Sequence, residues 1–502
     1  MKWVATVHIL SRLKTIVPGS KIVARDENSA LRFDELMQLC EQLSNSLKAH
    51  HIERLALHAD NSIHWMVVDL ACQLASVCLI PLPTFFTPQQ LKNVMSSTPV
   101  DALICEQQES FSWLSSDTKN SSKLLNNHYN LLILNKNESS CLLPDNTQKI
   151  TFTSGSTGSP KGVCLSNEQL LLQAQALADR VGLNQPRHLC LLPLSTLLEN
   201  VAGIYSTLLA QGEVMLPGLA EIGFQGSSSL STERFISVIT RYTPDSIIVT
   251  PQLLLVLISA VELGWKVPES LKFVAVGGAR VSPQLLVRAH ELNIPVYEGY
   301  GLSECASVVS LNTPQNNDQH SCGRPLPHLD ISIENDEVVV SGNAMLGYAN
   351  DPDSWSQPRI HTGDMGYLTE QGNLVITGRR KNLLISSYGR NINPEWVESE
   401  LLTHPQIAEC VVFGDARPFC IALITSRNDT SEQAIQELID ETNRRLPDYA
   451  RILNWQQLDS PLSQQKNLLT DNGRPRRAAI ADHYAELIDS LYHVNWELKA
   501  CE

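Results

Sequence analysis

The sequence has no long apolar run and carries fewer basic than acidic side chains. No stretch approaches the roughly 18 continuous apolar residues of a transmembrane helix, so we expect no membrane span, while peripheral membrane contact stays open. The 502 residues include 38 lysines and arginines against 53 aspartates and glutamates, which gives a formal net charge of −15 at pH 7. This acidic balance argues against nonspecific binding to nucleic acid or to anionic membranes, although it allows a local basic pocket.

The sequence also lacks the cysteine spacings of disulfide frameworks and metal sites. Its 12 cysteines form no Cys-x-x-Cys pair and no Cys/His cluster with ligand spacing. Free, mostly buried thiols in a reducing cytosol are the simplest interpretation. The first 20 residues are interrupted by His8, Arg12 and Lys14 and have no long apolar core, which is not typical of a signal peptide. We therefore expect a cytoplasmic protein.

The length and the pattern of apolar residues indicate a large α/β protein. A chain of this size with 43% hydrophobic residues can bury a large core and divide into several domains. Residues 55–58 and 79–82 are predicted strands that flank a predicted helix over 63–78, and 102–105 is another predicted strand. This alternation indicates a parallel sheet covered by helices. The polar run over 107–148 is predicted as loop, with one strand near 131–134.

A glycine-rich segment follows a short β-branched run and has the composition of a phosphate-binding loop. Residues 150–162 read ITFTSGSTGSPKG, with three glycines, a series of hydroxyl residues and Lys161. Glycines let the backbone approach a polyanion and turn its N–H groups inward, and the lysine adds a cation. The spacing matches neither GxxxxGK[ST] nor GxGxxG. A Ser/Gly-rich surface turn is the alternative, but such a turn needs neither the lysine nor a preceding buried strand.

Residues 154–162 resemble, position by position, the phosphate loop of the adenylate-forming superfamily. This superfamily includes acyl-CoA synthetases, firefly luciferase and the adenylation domains of peptide synthetases. Residues 191–196 also resemble a family segment, L-P-[LM]-x-H, which leads into a helix flanking the acyl pocket. Thr196 stands where many relatives carry histidine.

A second cluster, YEGYGLSE over 297–304, resembles the family motif Y-G-x-[ST]-E. The resemblance implies that Tyr300 packs against adenine, that Ser303 meets the α-phosphate region and that Glu304 holds magnesium. An aromatic face suits a base, and a carboxylate is a hard oxygen ligand for Mg²⁺. An aromatic core strand capped by a turn would explain Tyr300 but not the Ser-Glu pair. Upstream, residues 273–279 are predicted as a strand that runs into a turn, and strand ends with small residues are where open α/β sheets bind ligands.

Two further segments extend the resemblance. In HTGD over 361–364, Asp364 would accept hydrogen bonds from the ribose hydroxyls, although TGD alone is an ordinary turn. Residues 377–385 resemble the family hinge, with Arg379 on the ribose or phosphate and Lys381 at the pivot of a small C-terminal domain. The following loop would line a pantetheine tunnel, where Gly389 permits close backbone approach.

The C-terminal motif carries an anomaly. Residues 469–477 resemble L-T-x-x-G-K-x-x-R, but Arg474 occupies the position of the lysine that contacts the substrate carboxylate and α-phosphate. Arginine keeps the charge but replaces a compact ammonium with a planar fork. Either Arg474 does the lysine's work, or Lys466 or Arg476 reaches in instead, or adenylation is weak. We favour the first interpretation.

The resemblance covers about residues 30–480 and implies an architecture. We expect an α/β fold with a large N-terminal domain of layered α/β subdomains that includes a small β-barrel-like part, over 1–378. A hinge over 379–382 and a small, mobile α+β lid domain over 383–502 would follow.

The resemblance also implies a set of site residues. The residues with catalytic roles are Arg474, Lys161 and Glu304, with Glu304 also the magnesium ligand. The residues expected to bind ATP and the other cofactors are Thr153, Ser154, Gly155, Ser156, Thr157, Gly158, Lys161, Gly278, Ala279, Tyr300, Gly301, Ser303, Asp364, Arg379 and Gly389.

The implied reaction has two steps. A carboxylate attacks the α-phosphate of MgATP to give an acyl-adenylate and pyrophosphate, and a thiol then displaces AMP to give a thioester. Residues 382–385 and 387–392 look most like those of fatty acyl-CoA synthetases, and no acidic residue is placed to bind an amino group. We therefore expect a medium- or long-chain fatty acid as the substrate, with CoA or a carrier-protein phosphopantetheine as the acceptor. The alternatives are an enzyme that loads a carrier protein or an amine, and a noncatalytic descendant that binds nucleotide or acyl ligand.

Overall fold

The computed structural model describes residues 8–114, 117–125, 127–135, 141–153, 161–225, 229–388, 390–427, 430–465, 468–470 and 474–493. The strands up to the phosphate loop and just beyond it are β1 Ile22–Arg25, β2 Ala30–Arg32, β3 Arg54–His58, β4 Cys78–Pro81, β5 Ala102–Cys105, β6 Thr118–Leu124, β7 Tyr129–Leu134, β8 Lys149–Thr153 and β9 Lys161–Leu165. The strands of the middle region are β10 Arg187–Leu189, β11 Glu213–Met215, β12 Phe224–Gln225, β13 Ser229–Leu230, β14 Ser246–Val249, β15 Phe273–Val276, β16 Val296–Leu302, β17 Ser307–Leu311 and β18 Arg324–Pro325. The remaining strands are β19 Asp330–Glu334, β20 Glu337–Ser341, β21 Gly347–Tyr348, β22 Arg359–Leu368, β23 Leu374–Arg379, β24 Leu384–Ile385, β25 Asn391–Ile392, β26 Ile407–Phe413, β27 Cys420–Ser426 and β28 Ile452–Gln457.

Helices cover these sheets. The α-helices are α1 Ile9–Ile16, α2 Phe33–Ala49, α3 Ile63–Ala75, α4 Pro88–Ser97, α5 Asn167–Val181, α6 Ser206–Leu209, α7 Leu219–Ile222, α8 Thr232–Tyr242, α9 Pro251–Glu262, α10 Pro283–Glu291, α11 Pro394–Leu401, α12 Glu432–Arg445, α13 Arg477–His483 and α14 Ala485–His493. A π-helical segment, Glu199–Tyr205, precedes α6. In the described part of the chain, no helix combines the length and the apolar character needed to cross a membrane.

Two large sheets form the N-terminal part. The first has the order β21-β9-β8-β4-β3-β5-β7-β6, and the second has the order β18-β17-β16-β15-β14-β10-β11-β1-β2. In the first sheet β3 pairs in parallel with β4 and β5, which confirms the predicted parallel arrangement. The buried strands are short and apolar on both faces, as expected for strands covered by helices on each side.

The boundaries differ from the sequence prediction in two places. The helix predicted over 63–78 ends at Ala75, because Ser76 takes a left-handed conformation and β4 begins at Cys78. The region 107–148, predicted as loop with one strand, contains β7 and also β6. The prediction missed β6 because this strand, TKNSSKL, lies at the sheet edge with mostly exposed polar side chains, so it lacks an apolar alternation.

The small barrel-like part and the C-terminal part follow in the chain. The barrel-like part is a four-stranded antiparallel sheet in the order β19-β20-β22-β23. The C-terminal part is a three-stranded sheet, β26-β27-β28, with helices on both faces. Each face of this sheet has its own buried apolar cluster, one against α11 and α12 and one against α13 and α14. The C-terminal part therefore has an apolar core of its own, as expected for a small separate α+β domain.

A buried hydrogen-bonded cluster fixes the π-helical segment to the second sheet. Glu199 Oε1 lies 2.8 Å from His188 Nε2, and His188 Nδ1 lies 2.9 Å from Ser246 Oγ. The other oxygen of Glu199 accepts from the backbone N–H of Leu192 at 3.0 Å. A Cβ atom at Gly203 would meet Glu199 Oε1 and would lie 2.8 Å from His188 Nε2. Only glycine leaves this cluster intact.

We therefore predict that Gly203→Ala destabilises the protein by about 1–3 kcal/mol, because overpacking a buried site forces its neighbours apart. Differential scanning calorimetry should show a melting temperature several degrees lower. Gly19→Ala is the control, since the nearest atom to its Cβ would be Asp34 Cβ at an ordinary 3.6 Å. Equal melting temperatures for both variants would contradict the tight packing at Gly203.

Candidate active site

One large cavity of about 3140 Å³ lies at the edge where strands of the second sheet end. Strand β14 pairs in parallel with β10 and β15, and β15 pairs in parallel with β16, so the carboxyl ends of all four strands meet at this edge. Residues from the hinge region and from the C-terminal part close the cavity on the other side. The carboxyl ends of strands in open α/β sheets are the usual place for ligands.

Tyr300, Asp364 and Arg379 meet at one end of this cavity. The Tyr300 hydroxyl donates to Asp364 Oδ2 at 2.5 Å, and Arg379 Nε lies 2.7 Å from Asp364 Oδ1. Burial raises the pKa of Asp364, and the nearby Arg379 opposes this effect. The segment around Asp364 is not a surface turn, because it lies inside β22, where Gly363 has φ of +71°. The structure thus brings together a ring, a carboxylate and a cation from three separate motifs.

Arg474 reaches the same end of the cavity from the C-terminal part. Its Nη2 donates to the carbonyl of Gly278, in the loop that follows β15, where Gly278 has φ of +81° and Ala279 comes next. Desolvation in the cleft, and then the neighbouring Arg379, lower the pKa of Arg474, while Glu395 and Asp364 oppose this effect. Arg474 as a residue is partly open to solvent and lines the cavity.

Arg476 and Lys466 are the two alternatives to Arg474, and only the first of them lies among the described residues. Arg476 also lines the cavity, and its backbone N–H donates to the carbonyl of Leu468. Lys466 lies outside the described residues. Of these three cations, Arg474 is the one with a hydrogen bond to the Gly278 loop among the described contacts.

The residues that frame the predicted phosphate loop lie beside Glu304. Thr153 ends β8 and pairs with Lys161, the first residue of β9, so strand pairing holds the two ends of the loop together. Lys161 Nζ lies 4.7 Å from the centre of the Tyr348 ring, and the Tyr348 hydroxyl donates to Glu304 Oε1 at 2.9 Å. Tyr348 therefore connects the cation to the carboxylate.

Several predicted residues cannot be placed in this arrangement. Ser154, Gly155, Ser156, Thr157, Gly158 and Gly389 lie outside the described residues. Gly301 and Ser303, both described, line the cavity next to Tyr300 and Glu304. Lys381 lies in the short turn Arg380–Asn382 that follows β23, and it lines the same cavity.

A buried ion pair anchors β8, the strand that precedes the predicted phosphate loop. Lys149 Nζ, on β8, lies 2.8 Å from Asp69 Oδ1 on α3, and both side chains are 1% exposed. The Tyr205 hydroxyl donates to Asp69 Oδ2 at 2.5 Å and so adds the π-helical segment to the network. Burial lowers the pKa of Lys149, and Asp69 opposes this effect. Breaking one partner of such a pair leaves an uncompensated buried charge, so the pair ties the loop's strand firmly to α3.

The C-terminal part docks on the segment just after the Gly278 loop. Ser282 Oγ donates to Glu400 Oε1 of α11 at 3.0 Å. Arg280 Nη1 donates to the carbonyls of Ile376 and Thr377 at the end of β23, at 3.3 and 3.0 Å. The segment 280–282 therefore contacts both the end of β23 and the C-terminal part.

Glu298, two residues before Tyr300, has a buried partner that the sequence did not indicate, Cys322. The Cys322 thiol contacts Glu298 Oε1 at 3.6 Å. Burial raises the pKa of Glu298 to about 8, while Cys322 and Arg280 oppose this effect. The carboxyl therefore keeps its proton at neutral pH. The position of Glu298 inside the YEGYG segment was the only available signal, since Cys322 is 24 residues away in sequence.

This raised pKa has a consequence for stability. Between pH 4.5 and 8 the folded protein holds a proton on Glu298 that the unfolded chain has released. The free energy of unfolding of the wild type therefore falls as the pH rises through this range. Glutamine has no proton to lose, so we expect the difference in unfolding free energy, Glu298→Gln minus wild type, to be larger at pH 8.5 than at pH 5.5 by at least about 1 kcal/mol. Urea unfolding at both pH values measures this difference, with Glu291→Gln as the control for an exposed carboxyl. A difference that does not change with pH would contradict the raised pKa.

Comparisons with known proteins agree with the arrangement of these motifs. The family model "AMP-binding enzyme" matches residues 16–347, and "AMP-binding enzyme C-terminal domain" matches residues 381–495. Curated 2-succinylbenzoate–CoA ligases of Staphylococcus aureus strains MSSA476 and MW2 are 26% identical over 431 residues, which cover 79% of this chain and 85% of each relative. The expected likeness to fatty acyl-CoA synthetases in particular gains no support from these relatives.

Solved structures share the fold over nearly the whole chain. The anthranilate CoA ligase AuaEII in complex with anthranoyl-AMP has a TM-score of 0.82 at 18% identity and covers 97% of this chain and 98% of its own. The O-succinylbenzoate CoA synthetase MenE from Bacillus subtilis, in complex with ATP and magnesium, has a TM-score of 0.74 at 23% identity and covers 94% and 98%. These likenesses confirm the α/β fold with its large N-terminal and small C-terminal domains. Because the first family model alone covers well over half of the sequence, the chain belongs to the AMP-binding enzyme family.

Proposed function

We propose that this chain is an AMP-forming acid–CoA ligase. In the first step a carboxylate oxygen attacks the α-phosphorus of ATP, the bond to the bridging oxygen breaks, and pyrophosphate leaves. In the second step the CoA sulfur attacks the acyl carbon, and AMP leaves with the carboxylate oxygen. The observation that carries the proposal is the convergence of Tyr300, Asp364, Arg379 and Arg474 on one end of the cavity, in a chain of the AMP-binding enzyme family.

The residues present fit a magnesium nucleotide. Asp364 would accept from the ribose hydroxyls, and the Tyr300 ring would face adenine beside the Gly278–Ala279 loop. Glu304, held by the Tyr348 hydroxyl, offers a carboxylate oxygen of the kind that Mg²⁺ prefers. When bound, the metal would supply charge neutralisation on the phosphates. Support from a relative comes from the MenE structure, which is described in complex with ATP and magnesium.

The chain's own cations would do most of the remaining work. Lys161, at the end of the phosphate loop, would offset charge on the β- and γ-phosphates. Arg474 would bring its positive charge to the meeting point of the carboxylate and the α-phosphate, two anions that otherwise repel each other. Positioning and charge neutralisation of this kind carry most phosphoryl-group chemistry, so the site needs no protein nucleophile. Cys305 is fully buried and its thiol pKa is raised by burial, which is unsuited to a nucleophile.

Domain rotation belongs to the same proposal. We place the pivot at Lys381, in the turn after β23, with the N-terminal domain over 1–378 and the lid over 383–502. Support comes from the two family models, which leave residues 348–380 unmatched between them. The separate apolar core of the C-terminal part would let it turn as a unit.

The relatives favour an aromatic acid over a fatty acid. The curated relatives are named for 2-succinylbenzoate, and one structural relative is described with anthranoyl-AMP. These names also favour CoA over a carrier protein as the acceptor. We therefore propose an aromatic carboxylic acid as the substrate and CoA as the acceptor. The purified protein with MgATP, CoA and a panel of aromatic and fatty acids should release pyrophosphate and AMP and form an acyl-CoA detectable by mass spectrometry. Nucleotide binding without turnover of any acid would instead support a noncatalytic descendant.

The role of Arg474 separates the two steps. We predict that Arg474→Ala lowers the rate of acid-dependent pyrophosphate exchange at least about 100-fold, because a preorganised charge at the reacting centre is lost. Thioester formation from a preformed acyl-adenylate should fall much less. Arg474→Lys is the matched control and should keep or raise the exchange rate, since it restores the compact ammonium. Equal effects of the alanine change on both steps would remove Arg474 from the adenylation mechanism.

A further inference from the structure

The part of the cavity next to the adenylation end has a wall without cations. We call the cavity-lining residues of 192–202, 246–256 and 273–277 the acyl wall. They lie within or after β10, β14 and β15, and the last of them, Gly277, is next to Gly278, which Arg474 contacts. An acid whose carboxylate meets Arg474 would extend its body along this wall. The wall consists mostly of aliphatic side chains, with the aromatic Phe273 and a few neutral polar groups, among them Thr196, Thr250 and Gln252.

The cations in this region of the sequence lie elsewhere. Between residues 162 and 279 there are six lysines and arginines, and none of them lines the cavity. Three of them form ion pairs: Arg187 and Lys272 with Asp245, and Arg241 with Glu27 and Glu221. Two donate to backbone carbonyls: Arg180 to those of Arg324 and Pro325, and Arg234 to that of Ala220. The sixth, Lys266, is exposed.

Two stretches outside the described part, one before this range and one within it, add no cation to the sequence around the acyl wall. Residues 154–160 and 226–228, which lie outside the described part, contain no lysine or arginine. His188 lines the cavity, but Glu199 and Ser246 engage its two ring nitrogens. The cations that do line the cavity lie at the phosphate loop, at Arg280, in the hinge and in the lid. Arg280, three residues after the wall's Gly277, donates to the backbone carbonyls of Ile376 and Thr377 on β23.

Placing an ionised carboxylate against the acyl wall, which has no lysine or arginine, is energetically unfavourable. An ionised group that leaves water without a partner carries a large desolvation cost, so a dianionic acid would bind this wall far more weakly than the same acid with one carboxylate. 2-Succinylbenzoate, after which the curated relatives are named, is a dianion at neutral pH. It needs a partner for the carboxylate that does not react.

We propose that the substrate of this chain is a monocarboxylic acid with an apolar, uncharged body, and that the acyl wall discriminates against dicarboxylates such as 2-succinylbenzoate. This inference rests on the proposed function and narrows its substrate class. The proposed preference for a monocarboxylate also differs from the dicarboxylate for which the curated relatives are named.

Two matched pairs of acids test this inference in the acid-dependent exchange of labelled pyrophosphate into ATP. The first pair is 3-benzoylpropionate and 2-succinylbenzoate, which differ only by the ring carboxylate. The second pair is decanoate and decanedioate. In each pair that supports exchange, we expect kcat/KM for the monocarboxylate to exceed that for the dicarboxylate at least tenfold. A dicarboxylate that is equal or better would overturn the inference and leave the proposed function intact. Absence of exchange with every acid, including benzoate and anthranilate, would remove the proposed function and this inference with it.

A variant adds a direct test of the missing charge. Gln252 is exposed near the start of α9 and lines the cavity, so a cation can be introduced there without opening the core. Gln252→Arg should reduce the preference for the monocarboxylate several-fold, and Gln252→Met, of similar length, should keep it. An unchanged preference in a correctly folded arginine variant would contradict the claim that the absent cation sets the specificity.

Discussion

The contact between the Arg474 guanidinium and the Gly278 carbonyl is the interaction on which this account depends. It joins two parts of the chain that have separate apolar cores, and it puts a positive charge beside the strand ends where the nucleotide would lie. Arg379, paired with Asp364, and Glu395 also act on the Arg474 charge at this point. An incoming phosphate and carboxylate would add the negative charge that two neighbouring arginines favour.

The rest of the structure holds the two sides of this point in place. On one side, the Lys149–Asp69 pair fixes the strand that leads into the phosphate loop. On the other side, the His188–Glu199 contact fixes the π-helical segment next to the acyl wall. Both are buried polar contacts whose partners come from different elements, and buried polar networks of this kind rigidify the scaffold around a site. Arg474 reaches this end of the cavity from the C-terminal part of the chain.

The motifs of the site could be predicted from the sequence, but the contacts between motifs could not. Tyr300, Asp364 and Arg379 each stand in a short segment whose residue types indicate a role. The Ser282–Glu400 hydrogen bond joins residues 118 positions apart, and no local pattern marks either of them. Tyr348 beside Glu304 was missed for the same reason. The parallel strands were predictable because they are continuous apolar runs. The substrate class was not predictable, because the proposal for it depends on the absence of cations from the acyl wall, whose residues are far apart in the sequence.

The most direct test of the central claim follows the oxygen atoms of the acid. An acid substrate labelled with ¹⁸O in its carboxylate, incubated with the protein, MgATP and CoA, would transfer one labelled oxygen to the α-phosphate. The account predicts that the AMP released carries one ¹⁸O atom and that the pyrophosphate carries none. Unlabelled AMP together with labelled pyrophosphate or phosphate would contradict attack at the α-phosphorus, and with it the role given to Arg474.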